Sequence, residues 1–185
     1  MFGFFENDNK KMIEAIDAND HEVIKKLIDK GLDLSEEFTK PDNDSIKRWT
    51  YFLHACKFGD AETVGILLNA DSDQVKYRDD DAKPSLYWAA CNSDDHEASA
   101  ICEKILATEF DVNEEAFDKR TAIIGAAINR NTITAEVLLQ AGANPNQRND
   151  DGICALWVVA STDETGLAEL LLDHGADPNI VDNVG

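Results

Sequence analysis

Apolar residues recur along this chain at helical spacing, in short segments separated by polar turns. Ile24, Leu27 and Ile28 fall on one face of a predicted helix, and the run 64–68 repeats the pattern. A helix pair of this length cannot bury its own apolar face, so each pair must pack against another. The pattern therefore predicts short amphipathic helices that come in pairs and stack.

An internal repeat is clearest near the end of the chain. Residues 142–146 (GANPN) and 175–179 (GADPN) are nearly identical and stand 33 positions apart. Each copy follows an apolar helical run, at 135–139 and 168–172. Gly31 and the glycines that open the two copies suit left-handed helix C-caps. The period predicts a repeat architecture rather than a single globular core.

A helix-start signature recurs at the same period. It reads TYFLHA from Thr50, PSLYWA from Pro84, TAIIGA from Thr121 and CALWVV from Cys154, with an opening copy from Lys10. A 33-residue period with this signature resembles the ankyrin repeat, whose usual landmark is T-P-L-H-x-A. The resemblance covers residues 8–185 and implies an all-α ankyrin-repeat solenoid of stacked helix-turn-helix pairs with β-turn finger loops. It divides the single domain 1–185 into repeats at 8–35, 46–78, 80–115, 117–148 and 150–181, with a further repeat starting at 182–185.

The repeats depart from the family pattern in two ways. Their starts are unevenly spaced, and we place one insertion in an enlarged polar loop at 36–49 and another in a lengthened turn at 93–96. No copy carries the whole landmark, because its histidine slot holds other residues. They are Leu53, Tyr87, Ile124 and Trp157. We therefore expect a divergent array of moderate stability.

The two end repeats must shield one face from water. Charged residues such as Lys11, Glu14 and Lys25 interrupt the apolar stripe of the first repeat. The last repeat has no comparable protection. Two interpretations stay open: the chain is a fragment of a longer array, which we favour, or its last helix pair meets solvent or a partner.

The charge of the chain is strongly acidic. Seventeen Lys and Arg against 37 Asp and Glu give a formal net charge of −20. This sign opposes binding to nucleic acids and to anionic membranes, so we expect neither as a partner. We expect a chain that is monomeric on its own because its copies repel each other. The charge serves either solubility alone or the attraction of a basic protein partner.

Localisation is expected to be cytoplasmic. No apolar run approaches the roughly 20 residues of a membrane helix, and the start of the chain does not fit a signal peptide. Cys56, Cys91, Cys102 and Cys154 form no CxxC pair and no zinc spacing. In a reducing compartment they are expected to act as small core residues, with Cys91 partly exposed.

No catalytic or cofactor motif is recognisable, so we expect no enzyme and no cofactor. Nucleotide loops are absent, and the two His-Glu pairs, at His21 and His96, lack the second histidine of a zinc motif. The four histidines are predicted at the surface or in turns. The acidic clusters at 79–81, 94–95 and 150–151 are predicted to be solvated turns, and both Trp88 and Trp157 to be packing residues.

The resemblance implies that finger tips and the inner face of each first helix bind the partner. Carried over slot by slot, the candidate residues are Lys47, Trp49, Lys57, Phe58, Asp80, Asp81, Lys83, Asn92, Phe117, Arg120, Asn129, Asp150 and Asp151. Among them Trp49, Phe58 and Phe117 stand out, since aromatic residues dominate interface hot spots. For Trp49 a place under the enlarged loop is an equal alternative.

We therefore predict a non-catalytic protein–protein interaction module that binds a basic protein. Two alternatives remain. One is an immunity or inhibitor protein that neutralises a cationic enzyme or toxin. The other is the targeting arm of a longer effector or enzyme.

Overall fold

The computed structural model describes residues 2–39, 48–162 and 164–184, apart from the side chains of residues 2–7. Within these residues ten α-helices form five consecutive pairs. They are α1 (Phe2–Asp17), α2 (His21–Asp29), α3 (Tyr51–Phe58), α4 (Ala61–Ala70), α5 (Ser85–Ala90), α6 (Asp95–Leu106), α7 (Ala122–Asn129), α8 (Thr132–Gln140), α9 (Ala155–Ala160) and α10 (Thr165–Asp173). A short 3-10 helix (Ser72–Lys76) follows α4. The β pairing in this part of the chain consists of two isolated bridges, Phe38 with Trp49 and Arg78 with Pro84.

The pairs stack in chain order and form two layers. The first helices α1, α3, α5, α7 and α9 pack successively on one another, and so do the second helices α2, α4, α6, α8 and α10. One continuous apolar core runs between the layers, and side chains such as Leu53, Ile101 and Leu138 are fully buried in it. The predicted all-α solenoid of stacked helix pairs is confirmed.

The helix starts fall where the signature predicts them. Thr50, Pro84, Thr121 and Cys154 are the N-cap residues of α3, α5, α7 and α9. All four have extended backbone, and the Thr50 hydroxyl accepts a hydrogen bond from the Leu53 N–H at 3.3 Å. In the first pair, α1 instead begins at Phe2, before the predicted start at Lys10.

The second insertion does not lie in the turn at 93–96, so that prediction was wrong. The second helices begin at 61, 95, 132 and 165, always 11 residues after the starts at 50, 84, 121 and 154. The surplus lies mainly in α6, which has 12 residues where α8 and α10 have 9. The polar residues at 93–96 resemble a loop in the sequence, but they begin a helix. The Asp94 carboxylate accepts hydrogen bonds from the N–H groups of His96 and Glu97. The first predicted insertion, at 36–49, includes residues 40–47, which lie outside the described residues.

Left-handed backbone occurs at the glycines where it was predicted. Gly31, Gly142 and Gly175 have φ angles of 83°, 91° and 87°, which confirms their role as helix C-caps. The fingers use the same conformation one residue after their tips. Gly152 supplies it in the last finger, but Ala82, at φ 55°, holds the corresponding position two fingers earlier.

Replacing Ala82 with glycine is expected to raise the free energy of unfolding by about 0.5–1 kcal/mol. A non-glycine residue in this region costs roughly 1–2 kcal/mol, and the greater freedom of glycine in the unfolded chain offsets part of the gain. Urea denaturation of the variant measures the change. Gly152→Ala is the matched control and should destabilise, because a Cβ there would lie 2.5 Å from Arg148 Nη2. A less stable Ala82→Gly variant would contradict the prediction.

None of the helices in the described ranges combines the length and the apolar character needed to cross a membrane.

Candidate functional site: the finger tips

Each described finger is a five-residue turn closed by backbone hydrogen bonds. In the finger 79–83 the Asp79 N–H donates to the Lys83 carbonyl at 3.3 Å, and the Ala82 N–H donates to the Asp79 carbonyl at 3.0 Å. The same two bonds close the fingers 116–120 and 149–153. The three turns therefore present equivalent positions.

A buried side chain braces the first of these turns from within. The Asp79 carboxylate accepts the N–H groups of Asp81 and Lys83 at 3.0 and 2.9 Å, and the indole N–H of Trp88 at 3.2 Å. Asn149 makes the equivalent backbone bonds in the last finger. Asp79 is only 2% exposed, and burial raises the pKa of its carboxyl group. The prediction of a solvated turn was therefore wrong for Asp79.

Backbone hydrogen bonds also join each tip to the next. The N–H groups of Phe117, Asp150 and Asn183 donate to the carbonyls of Asp81, Asp118 and Asp151, at 2.9, 3.0 and 3.0 Å. The bonds recur at equivalent positions, so the tips form a regular row. We call its accessible residues the tip row: Asp80, Asp81, Phe117, Asp118, Lys119, Asp150 and Asp151.

The tip row is acidic with one large apolar side chain at its centre. Phe117 is 76% exposed, between the carboxylates of the finger before it and those of the finger after it. Lys119 forms an ion pair with Asp150 at 3.3 Å, and both side chains are more than half exposed. The row has five carboxylates and one ammonium group, so its local charge is negative.

Trp49 is not a contact residue, and its selection for the binding surface was wrong. Its side chain is fully buried. The indole N–H donates to His54 Nδ1 at 3.1 Å, and the ring meets Trp88 edge to face with 5.0 Å between centroids. The alternative, a packing role for Trp49, is the one that the structure supports.

Two further residues predicted to contact a partner are buried, so their selection was also wrong. Lys83 is 9% exposed because its ammonium group binds Asp81 and lies over the Trp88 ring. Asn92 is 4% exposed because its side-chain amide donates to the Gly59 carbonyl of the preceding repeat at 3.0 Å. Neither side chain is available to a partner.

Four other candidate residues reach the surface, but their side chains also contact other parts of the fold. Lys57 is half-buried and donates to the Cys91 carbonyl. Phe58 is 40% exposed and packs against His54. Arg120 forms an ion pair with Asp118 at 3.1 Å. Asn129 is half-buried and donates to the Gly125 carbonyl at 3.0 Å. Lys47 lies outside the described residues.

Three other sequence-based placements were wrong. Cys91, expected to be partly exposed, is 4% exposed. His54, expected at the surface or in a turn, is 2% exposed and its Nε2 lies 2.7 Å from the Asp17 carboxylate. Trp157, expected to pack in the core or between repeats, is 39% exposed. The exposure of each of these side chains depends on packing between repeats, which the local sequence does not reveal.

The described residues offer little reactive chemistry. Among them there is no group of three or more His, Cys, Asp or Glu residues placed to hold a metal ion. Burial raises the pKa of the Cys56, Cys91 and Cys102 thiols. A raised pKa keeps a thiol protonated near neutral pH, which disfavours nucleophilic chemistry.

Comparison with protein families identifies a repeat family. The family model for ankyrin repeats (3 copies) matches residues 95–182, from α6 to the end of the last repeat. No curated protein matches the chain.

Proposed function

We propose that this chain, which belongs to the ankyrin-repeat family, binds a basic protein partner through its tip row. Ankyrin repeats indicate a protein–protein interaction module. The observation that carries the finer proposal is the place of Phe117, which is 76% exposed at the centre of a row of carboxylates. The proposal rests on the chemistry of that row.

Phe117 suits the role of anchor because its backbone is already fixed. Its N–H binds the Asp81 carbonyl, and its finger is closed by a hydrogen bond from the Ala116 N–H to the Arg120 carbonyl at 3.0 Å. A fixed backbone and an aromatic side chain with only two rotatable bonds lose little conformational entropy on binding. A large apolar side chain in this position gains free energy when a partner pocket covers it.

The carboxylates around Phe117 define the expected chemistry of the partner. Asp80 and Asp81 stand on one side of the phenylalanine, and Asp150 and Asp151 on the other. A partner would therefore present an apolar pocket flanked by Lys or Arg. The formal charge of −20 would also accelerate encounter with such a surface at low salt.

The proposal includes a non-catalytic role in the cytoplasm. The raised thiol pKa values favour binding over cysteine chemistry. All four cysteines are free and buried, which is compatible with a reducing compartment.

Phe117→Ala is expected to weaken partner binding by about 30-fold or more, with unchanged thermal stability. The expectation follows from a hot-spot effect of about 2 kcal/mol at an exposed position. A partner captured from native lysate at low salt is purified, and its affinity for both variants is measured by calorimetry. Affinity for the wild type should also fall at 0.5 M NaCl.

Ile133→Ala is the matched control, because Ile133 is a 37% exposed apolar residue on α8 that lies outside the tip row. Equal affinities of the wild type and Phe117→Ala would refute the anchor. Affinity independent of salt would refute the electrostatic part of the proposal. If the captured partner is a cationic enzyme and one equivalent of this chain abolishes its activity, the partner class is an inhibited enzyme.

A further inference from the structure

The last helix pair exposes positions that are buried in the repeat before it. Trp157 on α9 is 39% exposed and Leu172 on α10 is 44% exposed. One repeat earlier the same positions hold Ile124 and Leu139, which are 1% and 7% exposed because α9 and α10 pack over α7 and α8. The exposed surface of the last pair is therefore a stacking surface that the described chain leaves uncovered. We call it the end face.

A groove of about 210 Å³ lies on the end face, between α9 and the turn that follows α10. Its apolar lining comes from Leu156, Trp157 and Ala160 of the helix and from Pro178 and Ile180 of the turn. In the preceding repeat Ile123, Ile124 and Ala127 hold the three helix positions, and all three are buried. A helix of the following pair covers that surface, so a helix is the shape that fits the groove.

The charge around the groove restricts what could bind there. Residues 149–185 contain eight Asp and Glu and neither Lys nor Arg. Asp177 lies in the groove wall, where hydrogen bonds from Asn179 lower the pKa of its carboxyl group. Glu169 and Asp173 adjoin Leu172 on α10 and are exposed. A second copy of this chain would bring the same negative end face, so self-association is disfavoured.

We infer that the end face binds a cationic amphipathic helix of a partner protein, whose apolar side enters the groove and whose Lys or Arg residues meet the surrounding carboxylates. Two observations carry this assignment. The equivalent internal surfaces are covered by helices, and residues 150–181 contain carboxylates but neither Lys nor Arg. The end face does not include the tip row, so this inference and the proposed function fail or succeed separately.

Trp157 gives a direct optical test. The other two tryptophans, Trp49 and Trp88, are 0% and 8% exposed. Fluorescence quenching by a neutral quencher such as acrylamide therefore mainly reflects the accessibility of Trp157. The probe is a tryptophan-free synthetic peptide of about 20 residues with Leu on one helical face and Lys on the other. We expect it to blue-shift the emission and reduce quenching severalfold. Peptides with Glu or Gln in place of every Lys are the matched controls and should leave both signals unchanged.

Ile180→Ala removes a side chain of the groove lining, retains the reporter and should weaken peptide binding about tenfold, while Phe117→Ala should leave it unchanged. Circular dichroism verifies that Ile180→Ala is folded, and Val181→Ala, at a 59% exposed position outside the groove lining, is a second control. Three outcomes would overturn the inference. The Lys peptide could leave Trp157 quenching unchanged. The Gln peptide could bind equally well, as expected for a surface that accepts a further repeat. Light scattering could show that the chain covers Trp157 by forming dimers.

Discussion

Replacing Trp49 with alanine is expected to lower the free energy of unfolding by about 3–5 kcal/mol, the usual range for a large buried aromatic residue. Trp49 is fully buried, meets Trp88 edge to face at 5.0 Å and donates its indole N–H to His54. The substitution leaves a cavity and removes a buried hydrogen bond. Urea denaturation followed by circular dichroism measures the change.

Phe117→Ala is the control for Trp49→Ala, because it removes an aromatic side chain that is 76% exposed. Its free energy of unfolding should change by less than about 0.5 kcal/mol. The contrast matters for any binding experiment. A domain is usually stable by about 5–15 kcal/mol, so Trp49→Ala would weaken binding through unfolding. A loss below 1 kcal/mol for Trp49→Ala would show that the side chain is not a packing residue.

Asp95→Ala is expected to lower the free energy of unfolding by about 2–3 kcal/mol, from the loss of a helix cap and of hydrogen bonds to a charged group. Asp95 begins α6, but its carboxylate caps α8 in the next repeat. It accepts the N–H groups of Ile133 and Thr134 at 2.8 and 2.9 Å, and the Thr134 hydroxyl at 2.8 Å. Thermal and urea denaturation test the effect.

The N-cap residue of α8, Asn131, does not replace this cap. Its side-chain amide points to the preceding repeat and donates to the carbonyls of Ala90 and Asn92, at 3.0 and 2.8 Å. Hydrogen bonds thus join the two repeats in both directions. Asp95 caps a helix of the following repeat, and Asn131 donates to carbonyls of the preceding repeat. Removal of Asp95 leaves the first N–H groups of α8 without this acceptor.

Asp94→Ala is the matched control, since Asp94 is the adjacent carboxylate and caps only its own helix, α6. Its expected cost is about 1 kcal/mol. A double-mutant cycle with Thr134→Ala isolates the coupling across the repeat boundary. If Asp95→Ala proves no more destabilising than Asp94→Ala, the cap from the preceding repeat contributes nothing to stability.

Sequence reasoning was accurate where a feature is local. The helix starts at Thr50 and Thr121 and the left-handed glycines each depend on neighbours within a few residues. It failed where a residue acts across repeats. Asp94 and Asp95 look alike in a polar run, yet one caps its own helix and the other caps the next. The length of α6 was not predicted because the polar run that begins the helix resembles a loop.

The candidate binding surface shows the same division. Finger positions follow from the period, which predicts exposed tips at Phe117, Asp80 and Asp150, and all three residues are exposed. Exposure of Trp49 and Trp157 could not be derived in this way. Both are aromatic residues near a helix start, but Trp49 is buried and packs against Trp88 and His54, whereas Trp157 is exposed at the end of the described stack.

The sequence by itself determined the kind of unit, its helix caps and the net charge of the chain, because repeated segments, capping residues and charge are visible along the chain without knowledge of contacts. Only the tertiary structure decided which side chains remain accessible. Burial in a stacked array is set by the neighbouring repeat, which lies about 33 residues away in the chain, and no local pattern records that contact.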